Sequence, residues 1–152
     1  MKVLITGANG FVAKNLSVHL SERQDIEVVT FTRDHSIDEL SFLIRDVDFI
    51  FHLGARTDTV GQEPELYQQL NLIYSQRLWN ICSEIQVPLL YASSAATYGN
   101  GEEGFSDEHR KIQDLRPLNL YGWSKHDFDV WALKQFRTPP FCAGMKFFNV
   151  YG

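Results

Sequence analysis

The opening residues, Met1-Lys2-Val3-Leu4-Ile5-Thr6-Gly7-Ala8-Asn9-Gly10, constrain the fold more than any other stretch of this chain. A compact apolar run that ends in two closely spaced glycines reads as a buried strand followed by a tight turn. Helical character then runs over residues 10–22. Gly7 permits the turn, and Gly10 lets the backbone approach a ligand without a Cβ in the way. Ala13 stands where a small residue lets the helix pack closely on the strand. The N-terminus of that helix offers unpaired N–H groups and a favourable dipole to an anion. A glycine-spaced turn is weak evidence alone, but its place directly after the first strand gives it weight.

The same alternation continues along the chain. Apolar runs at residues 3–6, 27–32, 49–53, 89–92 and 145–149 are strand-sized and largely unbroken, as suits strands buried on both faces of a parallel sheet. Segments of helical period at 38–45, 64–86 and 119–136 separate them, and a polar loop spans 100–116. The expected fold class is therefore α/β, a Rossmann-type doubly wound parallel sheet. Residues 33–48 leave room for one helix only, so the third strand of a complete sheet is expected to be reduced or absent. The 152 residues, 44% of them hydrophobic, suit one domain over residues 1–152.

Several classes are disfavoured. The net charge of −5, with no basic run, argues against nucleic-acid binding. The apolar stretches are too short to span a bilayer, and the first residues lack the long apolar region of a signal peptide. Cys82 and Cys142 match no metal or redox spacing and read as buried free thiols of a cytoplasmic protein. The histidines show no metal-ligand spacing, and His52 reads as a core residue. Trp79, Trp123 and Trp131 read as helix–sheet packing.

A strand–glycine turn–helix unit of this kind suits a dinucleotide, and the end of the second strand selects which one. An NAD site places Asp or Glu there to hold both ribose hydroxyls. Here the residues are Thr32 and Arg33. Thr32 does not repel a 2′-phosphate, and Arg33 can pair with one through two charge-assisted hydrogen bonds. Asp34 comes slightly late to play the acid. NADP is expected in preference to NAD.

Tyr121 and Lys125 stand at i and i+4 on one helix face. A tyrosine is a poor base near neutrality, but a neighbouring cation favours its phenolate. It could then take a proton from a substrate hydroxyl while hydride passes to a nicotinamide. A lone pair of this kind is common on surface helices. It gains support from Tyr91-Ala92-Ser93-Ser94, which ends a parallel strand at the edge where such sheets bind ligands. Ser94 would hydrogen-bond the reacting oxygen beside Tyr121. Ser94, Tyr121 and Lys125 are the candidate catalytic residues.

Taken together, these motifs resemble the extended short-chain dehydrogenase/reductases that act on nucleotide sugars, the NAD-dependent epimerase/dehydratase family. Leu4 to Val12, Phe51-His52-Leu53-Gly54-Ala55, Tyr91 to Gly99, Pro117 to Lys125 and Phe147 to Gly152 carry the likeness, which covers the whole chain. The nearest likeness is to an epimerase of the group. Ala95-Ala96 stand where the related dehydratases carry an acidic pair. The resemblance implies cofactor contacts at Phe11, Val12, Thr32 and Arg33, and at Leu53, Gly54, Ala55 and Thr57. It adds Asn71, Tyr121, Lys125 and Val150, with Asn149 and Ser94 touching the substrate. It implies a nucleotide-sugar substrate and a homodimer through the long helices. In the family the chain continues beyond the final Tyr-Gly into a substrate-binding domain, which is expected to be missing here. A sugar-nucleotide reductase and a non-catalytic NADP-binding module remain the alternatives.

Overall fold

A computed structural model describes residues 1–32 and 37–151. Its elements are β1 (Lys2–Thr6), α1 (Phe11–Ser21), β2 (Glu27–Phe31), α2 (Ile37–Leu43), β3 (Phe49–His52), α3 (Pro64–Tyr67), α4 (Tyr74–Ile85), β4 (Leu89–Ser94), α5 (Leu120–Ala132) and β5 (Cys142–Phe147). The sheet order is β2-β1-β3-β4-β5. β1 runs parallel to β2 and β3, and β3 runs parallel to β4. The chain thus steps from β1 to one side and returns to the other, which puts a topological switch between β1 and β3. Among the described residues no strand lies between β2 and β3; α2 and a 3₁₀ turn over Ile44–Asp46 occupy that stretch. Among the described residues the doubly wound sheet therefore lacks its usual third strand.

β1 is central because its sequence is apolar on both faces. Val3, Leu4 and Ile5 are wholly buried, and Leu4 sits in register between Val29 of β2 and Ile50 of β3. Val3 and Ile5, on the same face, pack with Ala13, Leu16 and Leu20 of α1. Val3 and Ile5, fully buried, each contribute about 1.5–3 kcal/mol.

Three boundaries differ from the sequence reading, each for a local reason. The helix expected over residues 64–86 is divided: Pro64 opens α3, a π turn occupies Gln68–Ile73, and α4 follows. α5 ends at Ala132, and Phe136 stands fully exposed. β5 begins at Cys142 and ends at Phe147, so Asn149 and Val150 follow the strand. Cys142-Ala143-Gly144 are weak strand formers and conceal that start in the sequence. The polar loop expected over 100–116 contains a 3₁₀ segment, His109–Asp114, held by buried Ile112 and followed by buried Leu115.

Two compact units divide the chain. One comprises Met1–Gly54, Leu78–Ala92 and Arg137–Ala143. Its interior is mainly aliphatic, with Trp79 buried and its indole N–H donated to the Arg137 carbonyl at 3.1 Å. The other comprises Ala55–Arg77, Ser93–Phe136 and Gly144–Gly152. Its interior holds Tyr67, Tyr98, Ile112, Leu115 and Phe128, together with many polar groups. Trp123 is 38% exposed, and so does not fill a core as expected. Cys82 is a buried free thiol as expected, whereas Cys142 is exposed because it lies on the outermost strand. Among the described residues no His, Cys, Asp and Glu cluster could hold a metal, and no helix is long and apolar enough to cross a membrane.

Candidate active site

The glycine turn follows from backbone sterics. Gly7 has φ 71°, in the left-handed region, and a Cβ there would overlap the Gly54 backbone. The ends of β1 and β3 therefore touch through two glycines. A side-chain bridge reinforces the contact: the Thr6 hydroxyl bonds His52 Nδ1 at 2.7 Å and accepts the Gly54 N–H at 3.3 Å. His52 is thus a satisfied core residue. Gly7 N–H is donated to the Phe31 carbonyl at the end of β2 at 2.9 Å.

Gly10 precedes α1 with no side-chain cap, and the first turn of α1 carries no acidic residue. Its amides are left to an anion from outside the chain, so these residues fit a phosphate-bearing ligand. Phe11 is exposed, and Val12, Thr32, Leu53 and Gly54 are half-buried. The expected partner of a 2′-phosphate, Arg33, lies outside the described residues.

The second unit holds the polar cluster. Asn119 caps α5 by accepting the Gly122 N–H at 2.8 Å, which sets Tyr121 in the first turn. A Cβ on Gly122 would lie 2.8 Å from the Ala96 carbonyl oxygen, so only glycine lets α5 pack this close to the turn after Ser94. That approach sets the Ser94 hydroxyl near enough to the Tyr121 phenol to favour its ionised form. Ser94 also accepts the Ala96 N–H at 3.1 Å as it caps the 3₁₀ turn Ala95–Tyr98.

Lys125 is 5% exposed. Burial pushes its ammonium down to about 8, opposed by the charge of Asp129. Burial also pushes the Tyr121 phenol above its ordinary value, and the neighbouring Ser94 hydroxyl acts the other way. Desolvation, rather than the neighbouring cation weighed in the sequence, sets the direction of that shift.

Asn71 lies on the π turn and is 1% exposed. It accepts the Arg56 N–H at 2.7 Å and donates to the Arg56 carbonyl at 2.9 Å and to Ser124 Oγ at 2.8 Å. Ser124 in turn donates to the Tyr121 carbonyl at 2.7 Å. Both amide hydrogens of Asn71 are used inside the protein, so it braces the Tyr121 helix and has no donor left over for a ligand. Ala55 is half-buried; Thr57, Asn149 and Val150 are exposed.

The structure therefore brings Ser94, Tyr121, Lys125 and Asn71 into one unit, and Gly7, Gly10 and Gly54 into the other. Sequence reasoning missed Gly122 and Ser124, although both lie inside the quoted Tyr121-to-Lys125 motif. It also missed the roles of Ser93, inside the quoted Tyr91-to-Ser94 motif, of Asp129, one helical turn after Lys125, and of Lys146, which left no sequence signal.

Comparison with known proteins places the chain among nucleotide-sugar enzymes by sequence and fold. A relative from Fusobacterium nucleatum, ADP-L-glycero-D-manno-heptose-6-epimerase, is 44% identical over 109 residues, covering 70% of this chain and 33% of its own. UDP-2-acetamido-2,6-beta-L-arabino-hexul-4-ose reductase of Pseudomonas aeruginosa is 38% identical, covering 85% of this chain and 38% of its own. The crystal structure of the Helicobacter pylori ADP-L-glycero-D-manno-heptose-6-epimerase superposes with a TM-score of 0.85 at 27% identity, covering 99% of this chain and 56% of that one. The chain thus spans between a third and about half of these relatives. Residues 3–152 match the NAD dependent epimerase/dehydratase family, and with the glycine turn and the Ser94–Tyr121 pair in place, the chain belongs to that family.

Proposed function

We propose that this chain carries the NADP-binding and proton-transfer parts of a nucleotide-sugar epimerase, resembling ADP-glyceromanno-heptose 6-epimerase. The observation that carries this reading is the close approach of α5, with Tyr121 and buried Lys125, to the turn that follows Ser94. A nicotinamide held at the glycine turn would supply the acceptor and donor of hydride. Gly7, Gly10 and the first turn of α1 would hold its phosphates, with Phe11, Val12, Leu53, Gly54, Ala55, Thr57 and Val150 around it. Thr32, which carries no negative charge, favours NADP over NAD.

Tyr121 exchanges the proton of the sugar hydroxyl, and Ser94 holds the reacting oxygen. The Ser94 hydroxyl stabilises the phenolate when it forms, and Lys125, charged below about pH 8, adds a cation on the same helix face. Asn149 would contact the sugar nucleotide. Asn71 keeps Tyr121 in place through Ser124. With the nicotinamide bound, hydride taken from the sugar carbon and given back to its opposite face would amount to epimerisation with no net use of cofactor. Ala95-Ala96 support this over dehydration, because no acidic side chain stands there to drive loss of water.

Calorimetric titration with NADP(H) and NAD(H) tests the first half of the proposal, with tighter binding of NADP(H) expected. Failure to bind either would overturn it. Product analysis on nucleotide sugars tests the second half. The similarity to the P. aeruginosa reductase favours a second reading, and stoichiometric loss of NADPH absorbance would establish it. Binding without turnover would mark a nucleotide-binding module. The proposal includes a cytoplasmic homodimer through the long helices, and a monomer mass by light scattering would remove the dimer.

A further inference from the structure

Behind the catalytic helix lies a buried ion pair that the reaction just described does not use. The Asp129 carboxylate, with its side chain 4% exposed, is 3.0 Å from Lys146 Nζ, whose side chain is 11% exposed. Ser93 Oγ donates to the same carboxylate oxygen at 2.6 Å. Lys146 Nζ also donates to Thr97 Oγ1 at 2.6 Å and sits 4.9 Å from the centre of the Tyr98 ring. Four residues thus connect every element that carries the candidate triad. Ser93 precedes Ser94 on β4, Thr97 lies in the turn after it, Asp129 lies on α5 one turn after Lys125, and Lys146 arrives from β5.

A buried ammonium is costly unless a counter-charge stands near it. Lys125 and Asp129 share a helix face at i and i+4, within reach of each other's field. We propose that Asp129 and Lys146 are positioning residues: Asp129 supplies the counter-charge that lets Lys125 be buried as an ammonium, and Lys146 ties Asp129 to the turn that follows Ser94. The proposal rests on the reading of Lys125 as part of the active site. The field of Asp129 opposes the desolvation of Lys125. The other ionisable groups bordering the pair are Tyr98 and Asp107, which hydrogen-bond each other at 3.0 Å, and Tyr121 on the same helix as Lys125.

An electrostatic role and a purely structural one separate cleanly, because the two ends of the pair carry opposite charge. Asp129→Asn and Lys146→Met break the same contact. The measurement is an NMR pH titration of the lysine side chains in the full chain, with the Lys125 signal assigned through Lys125→Met. Asp129→Asn is expected to lower the Lys125 midpoint by about one pH unit, a tenfold change in its proton equilibrium. Lys146→Met is expected to raise it, and Lys146→Arg to leave it unchanged. Shifts in the same direction for Asp129→Asn and Lys146→Met, or no shift in either, would overturn the proposal. Should Asp129→Asn fail to fold, Lys146→Met against Lys146→Arg carries the test: a midpoint that falls or stays in the former sinks the idea. The titration needs no cofactor, so loss of nucleotide binding would refute the proposed function while leaving this result standing.

Discussion

The unit that carries the glycine turn and the unit that carries Ser94, Tyr121 and Lys125 solve burial in different ways. Around β1 the interior is filled by Val3, Leu4, Ile5, Leu40, Ile44 and Ile50, all at 0% exposure. Around α5 it is filled by Ser93, Ser94, Thr97, Ser124, Lys125, His126 and Asp129, each at most 8% exposed. The first interior is stabilised by area removed from water and tolerates small rearrangements. The second depends on its buried charges finding partners, so deleting one end of a pair leaves the other unmatched.

The sharpest way to break this comparison is to remove one end of the buried pair. Asp129→Ala should lower the unfolding free energy by about 3–5 kcal/mol in a urea titration, because Lys146 is left uncompensated. Leu4→Ala, a cavity in the aliphatic interior, should cost about 2–5 kcal/mol. The difference in kind shows when both polar partners are replaced: Asp129→Leu with Lys146→Met should recover part of the loss, the remainder being Lys125 left without its counter-charge. If the double variant is as unstable as Asp129→Ala, the second interior is not governed by charge pairing.

The next effect is pH dependence. Lys125 is pushed down to about 8 from an ordinary 10.5. Between those values the unfolded chain holds the proton and the folded one does not, so stability rises with pH across the window, by up to about 3 kcal/mol. Tyr74 and Cys82, both pushed up to about 12 by burial, act in the opposite sense at higher pH. The measurement is therefore the difference between wild type and Lys125→Met, which should change from pH 7.5 to 10.5 as the wild type gains stability. Parallel curves would show that Lys125 is not desolvated. In the proposed reaction the same deprotonation removes the cation beside Tyr121, so turnover should fall above about pH 8.

Smaller effects test the backbone of each unit. Gly7→Ala forces a Cβ against Gly54 and a left-handed φ on alanine, at a cost of about 1–3 kcal/mol by thermal melting. It should also weaken nucleotide binding. Asn119→Ala removes the cap of α5 at a cost of about 1 kcal/mol. If Asn119→Ala proves the larger of the two, the idea that the glycine turn is the more exacting backbone feature fails.

The same contrast explains what was legible in the sequence. Val3 to Thr6, the spacing of Gly7 and Gly10, and the shortness of residues 33–48 each act locally, through strand period, turn sterics and chain length, and the sheet follows them. Ser94, Tyr121 and Lys125 were legible because they sit in local motifs. Lys146 was not, because nothing near it in the chain announces a partner 17 residues earlier in Asp129 or 49 earlier in Thr97. Gly122 was invisible for a similar reason: its need for a missing side chain is set by Ala96, on another element. The start of β5 was hidden by residues with little strand preference of their own, recruited by a neighbouring strand.

The π turn at Gln68–Ile73 bears on how the chain tolerates changes in length. A π turn holds one residue more than an α-helix needs, and most helices broken by a deletion have no such slack. Removing one residue here would let the segment tighten into a continuous helix running into α4, so folding would survive. Residues outside the turn would keep their faces, because the extra residue is taken up within it, but Asn71, inside the turn, would be re-aimed. Asn71 would then lose its hold on Arg56 and Ser124. A helix with one residue too many can lose it and remain a helix; this one would lose its brace.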